Sequence, residues 1–194
     1  TKDGDWYFAG FVMNGWQRIT RVNGNNTLAF GTQVTYKITD KLLLNNSTYI
    51  GNDNPDSLKA ARYFADTYLI WNISKRFALT AGYDIGIQKK SPGSDDYMTW
   101  YSPVAIIRAV LGKGFSASLR GEYFHDPSQV IFATGTENGF RTFGYSMNLD
   151  YNVADNALVR IEGRGFESKD KIFSKNGVQG NSNFAVTTSI AVSF

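Results

Sequence analysis

Charged residues at two-residue spacing are the first chemistry this chain offers. Arg120 and Glu122 alternate with Leu119, Gly121 and Tyr123, and Arg160, Glu162 and Arg164 alternate with Val159, Ile161 and Gly163. In an extended strand residues two apart share a face, so each set puts its charges on one side. Asp150 and Arg108 have the same parity on alternating segments between and before them. Together Arg108, Arg120, Glu122, Asp150, Arg160, Glu162 and Arg164 are expected to form one charged wall. Such a wall can pair Arg with carboxylate across strands and fix its own geometry. Its field can also bias the passage of charged solutes. Four arginines against three carboxylates would weakly favour anions.

Other reactive groups are sparse. His125 is the only histidine, followed by Asp126 with Ser128 nearby. A hydrolytic site needs base, orienter and nucleophile within mutual reach, and adjacent strand residues point to opposite faces. A hydrolase is therefore only a lesser alternative, and no enzyme activity is expected. Asn52-Asp53-Asn54-Pro55-Asp56 and Ser94-Asp95-Asp96 offer oxygen ligands for Ca²⁺, but neither has EF-hand spacing. They read as solvated turn acids, and no metal site is expected. The nearest approach to a phosphate loop, Gly163-Arg164-Gly165, lies inside a strand pattern, so no cofactor is expected. The absence of cysteine removes disulfides and thiolate chemistry. Net charge is only +3 and scattered, which argues against a nucleic-acid partner.

The elements that must position the wall are strands. Mean hydropathy is −0.29, and no segment approaches the roughly 18 apolar residues of a spanning helix. Aromatics instead reach 15% of the 194 residues, which suits a β protein with aromatic girdles. In the terminal segment Phe184, Val186, Thr188, Ile190, Val192 and Phe194 share one face, against Ala185, Thr187, Ser189, Ala191 and Ser193. Similar alternation predicts strands over Trp6–Ile19, Leu28–Ile38, Leu42–Ile50, Tyr63–Ile73, Phe77–Gln88, Tyr101–Leu111, Phe115–Asp126, Phe143–Val153 and Ala157–Phe166. Pro103 should make its strand irregular or bulged.

The connections alternate in length. Tight turns at Thr39-Asp40-Lys41, Ser74-Lys75-Arg76, Gly112-Lys113-Gly114 and Ala154-Asp155-Asn156 separate long polar loops over Thr20–Thr27, Gly51–Arg62, Lys89–Met98, Pro127–Arg141 and Glu167–Asn183. Short periplasmic turns and long extracellular loops mark an outer-membrane barrel. Trp6, Tyr36, Trp71, Phe77, Phe115, Tyr151 and Phe194 should form the periplasmic girdle. Trp16, Tyr63, Tyr83, Trp100, Tyr123, Phe143 and Phe184 should form the extracellular one. The expectation is an all-β, antiparallel up-and-down transmembrane β-barrel of about ten strands, residues 1–194 making one domain. Lys2-Asp3-Gly4-Asp5 reads as a further tight turn, so the chain could be the carboxyl-terminal part of a larger barrel.

The stretch Leu119-Arg120-Gly121-Glu122-Tyr123-Phe124-His125-Asp126 resembles a strand of outer-membrane β-barrel porins of the OmpL-like type, common in Bacteroidetes. So do Gly144–Tyr151, Asp155–Arg164 and Asn183–Phe194. The resemblance runs along nearly the whole chain and is strongest after Phe115. It implies passive diffusion of small polar solutes across the cell outer membrane, and carries no catalytic residues. It also implies that Phe194 serves as the carboxyl-terminal assembly signal. Expected partners are outer-membrane lipid, small polar solutes and other outer-membrane proteins. The competing reading is a closed structural or partner-binding barrel, because about eight strands leave a lumen filled by side chains.

Overall fold

The structure, a computed structural model, describes residues 4–193. Strands β1 (Trp6–Met13), β2 (Ala29–Thr39), β3 (Leu42–Asn52), β4 (Ala61–Trp71), β5 (Phe77–Lys89), β6 (Tyr97–Gly112), β7 (Phe115–Asp126), β8 (Phe140–Ala154) and β9 (Ala157–Ser168) follow one another. A small hairpin of β10 (Phe173–Lys175) and β11 (Val178–Gly180) rises in the last long loop, and β12 (Ser182–Val192) ends the described chain. Each long strand pairs antiparallel with its sequence neighbour, and β12 pairs with β9, giving one ten-stranded meander. Among the described strands β1 pairs with β2 and β12 with β9, at the two ends of the meander.

Burial on this sheet is inverted relative to a protein in water. Along β8, Phe143, Tyr145, Met147, Leu149, Tyr151 and Val153 are exposed, while Thr142, Ser146, Asn148 and Asp150 are buried. Asp150 is 3% exposed and Met147 57%. A half-buried sheet in water hides its apolar face, so the apolar face here needs another solvent. A transmembrane barrel supplies lipid on that side and an aqueous lumen on the other. The register carries this assignment from strand to strand, because paired residues share a face. Trp6, Tyr36, Trp71, Phe77, Phe115 and Tyr151, the aromatics of the tight-turn end, all have outward parity.

Several expectations need correction. Trp16 and Trp100 do not join the extracellular girdle. Trp100 has inward parity, is 2% exposed and lies across Gly86, where a Cβ would collide with its ring. Trp16 folds over the inner face, edge-on to Tyr49 and Phe64. β1 stops at Met13 rather than Ile19, because Gly15 (φ 137°) and Gln17 (φ 52°) turn the chain out of the strand. At Pro103 the strand is irregular without a bulge: β6 runs straight through it on the β5 side, while Ser102 and Pro103, the latter lacking an N–H, have no β7 partner. The Lys2-Asp3 half of the first turn and Phe194 lie outside the described residues, and so do the strand expected before that turn and the assembly signal.

Candidate functional site

The register sets the predicted charges on one face. Arg108 pairs with Ser118, Arg120 with Ser146, Asp150 with Ser116 and Arg160, Glu162 with Asn148, and Arg164 with Ser146. All have the buried, polar parity of β8 and so point inward. Glu122 sits between two guanidiniums, accepting hydrogen bonds from Arg120 and Arg164. Arg160 grips Asp150 with two parallel bonds of 2.7 and 2.8 Å, and Asn148 donates to the same carboxylate at 2.8 Å. Arg108 donates to Ser116 at 3.2 Å, and its charge forms no ion pair among the described residues. Glu162 likewise forms no ion pair among the described residues.

The pairs are lopsided in depth. The side chains of Arg120, Arg160 and Arg164 are 36, 41 and 38% exposed, whereas Glu122 and Asp150 are 15 and 4% exposed. In each pair the carboxylate is therefore the shielded member and the arginine the more exposed one. Cross-strand pairing fixes the wall, and the same pairing leaves positive charge facing the solvent. The two roles proposed for these residues are thus compatible.

Three inner-face features escape a reading by single strands. Asp66 of β4 and Asp84 of β5 are direct register partners, flanked by Ser47 on β3 and Ser102 on β6. No cation pairs with either among the described residues, so the β4–β5 side is acidic. At the long-loop end Arg62 bridges Asp53 at 2.8 Å, donates to Gln88, and lies over the rings of Trp16 and Trp100. At the tight-turn end Lys41, Lys75 and Arg76 join Arg108 around a cavity of about 330 Å³ with no carboxylate in its lining. Parity alone puts Asp66 and Asp84 inward; their equal eight-residue offset from the tight turn Ser74-Lys75-Arg76 is the signal that makes them partners.

The remaining candidates are used by the loops. His125 points outward and stacks on Tyr101, with ring centroids 4.6 Å apart. Asp126 is fully buried on the opposite face and accepts backbone N–H bonds from Val130, Ile131 and Phe132 at 2.7–3.1 Å. The adjacent pair thus forms no acid–base unit. Asp53 takes Arg62 and the Trp16 N–H, and Asp56 takes Asn26 and Thr27. These bonds hold the Asp56 carboxyl below its ordinary range, the Asn26 backbone N–H foremost. The Asn138 backbone N–H, its side-chain amide and Thr136 do the same for Asp170, tying the last two long loops together.

Comparison with known proteins agrees with this geometry. Residues 1–194 match the family described as "Putative beta-barrel porin-2, OmpL-like". No curated protein matches the chain in sequence. Among solved structures, an anion-selective porin from Comamonas acidovorans superposes with a TM-score of 0.69 at 13% identity, covering 86% of this chain and 49% of the porin. The likeness is one of fold, and the chain spans about half of that porin's length.

Proposed function

The chain belongs to the OmpL-like β-barrel porin family, and from that premise we propose that it walls a water-filled outer-membrane channel for passive diffusion of small polar solutes, biased toward anions. The observation that carries the reading is the depth ordering of the charged wall. Guanidiniums of Arg120, Arg160 and Arg164 stand toward the lumen while their carboxylate partners are screened behind them. A permeating ion meets the nearer charge most strongly, since Coulomb energy falls with distance and salt screens what lies farther. The basic periplasmic mouth acts in the same sense.

The ten-stranded sheet has β1 and β12 at its two ends, with no pairing between these strands among the described residues, which favours a channel over a packed structural barrel. A membrane does not tolerate an open edge, so we propose that further strands complete the ring, making this chain one part of a larger barrel. Larger barrels leave an aqueous channel where eight-stranded ones are filled.

Charge reversal tests the bias. With the protein in a planar bilayer under a salt gradient, Arg120→Glu together with Arg160→Glu should move the reversal potential toward cations. An unchanged potential would reject the role given to the wall.

A further inference from the structure

The outward face of the strands is nearly free of charge. Among the described residues only Lys89, His125, Arg141 and Glu167 are basic or acidic strand residues with outward parity. All four sit at the long-loop ends of β5, β7, β8 and β9. Charge on this face is thus confined to the headgroup level of one leaflet.

Two of these groups, Arg141 and Glu167, meet Lys169 of the following loop at a built cleft. Tyr123, Phe143, Glu167 and Ser182 are successive register partners across β7, β8, β9 and β12. Arg141 and Lys169 stand above that row, joined by the Lys169 N–H donating to the Arg141 carbonyl at 3.0 Å. The cleft between them measures about 590 Å³. The Arg141 Nε is buried there without a partner. Neither Arg141 nor Lys169 forms an ion pair among the described residues, although Glu167 lines the same cleft.

Two unpaired cations with a guanidinium fork suit a phosphate. The aromatic floor decides between a free anion and a lipid. Phe143 and Tyr123 lead from the cleft onto the apolar band, where acyl chains would continue. We propose that this cleft binds the phosphorylated headgroup of an outer-leaflet glycolipid. Arg141 and Lys169 hold the phosphate, and Glu167 and Ser182 take sugar hydroxyls. The assignment rests on the outer-membrane reading but not on conduction, because these residues face away from the lumen.

Native mass spectrometry of the protein in neutral detergent, with added bisphosphorylated lipid A, tests it. The dephosphorylated lipid should bind at least tenfold more weakly, and so should the phosphorylated lipid to the Arg141→Gln/Lys169→Gln variant. Single-channel conductance of that variant should match the unsubstituted protein. Equal binding of the two lipids overturns the proposal even if the variant fails to fold, as does unchanged affinity in a folded variant. Inorganic phosphate that displaces the lipid at equal concentration would make this a free-anion site and overturn the lipid assignment.

Discussion

Replacing Glu122 by Gln removes the one carboxylate that two lumen-facing arginines share. The side chain keeps its shape and loses one negative charge. An ion passing about 6 Å away in water feels a unit charge at about 0.7 kcal/mol. Screening at 0.1 M salt reduces this to about 0.4 kcal/mol. The change favours anions and disfavours cations by that amount each, so their permeability ratio should rise about fourfold. At 1 M salt, where the screening length is about 3 Å, the gain should shrink to about 1.4-fold. Reversal potentials under a potassium chloride gradient at the two salt levels measure both values. Because Arg120 and Arg164 are each more than a third exposed, the lost pairs should cost only about 1 kcal/mol of stability. A ratio that stays constant, moves toward cations, or rises equally at both salt concentrations would refute the argument from depth.

Further outcomes follow from other parts of the sheet. Neutralising the acidic side with Asp66→Asn and Asp84→Asn should also raise the anion preference, read from the same reversal potential. Met147→Arg, on the lipid face and 57% exposed, should cost about 2–4 kcal/mol in a urea unfolding titration in lipid, as basic residues do near the bilayer midplane. The Asp170 carboxyl is held below its ordinary value of 3.8. Its contribution to docking of the two loops is therefore full above that value and fades as pH falls through the lowered one. Hydrogen-exchange protection of the Asn138 amide should drop on acidification through this range, and Asp170→Asn should abolish that pH dependence.

Much of this architecture was legible in the sequence because lipid and water enforce a two-residue period. The strand from Phe115 to Asp126 ends where alternation ends, and β8 extends its predicted span by three residues before Phe143 and one after Val153. Inward parity of the seven wall residues needed nothing beyond that period. What alternation does not encode is depth and cross-strand company. Nothing local says that Glu122 lies behind Arg120 and Arg164, or that Asp66 faces Asp84. Aromatic residues misled for a related reason. Trp100 lies one residue off the outward parity of Tyr101, and a bare Gly86 gives its ring a bed inside. Trp16 belongs to a loop, where alternation has no meaning. The hairpin β10–β11 is held by only three register pairs, too short for a period to emerge.

Single-channel recording of the native protein, with its intact mass determined in parallel, tests the central claim most directly. The account predicts discrete conductance steps at low salt with a reversal potential displaced toward the anion value. Folded protein that inserts into the bilayer and conducts nothing would contradict it, most plainly if its mass equals the 21.6 kDa of this chain.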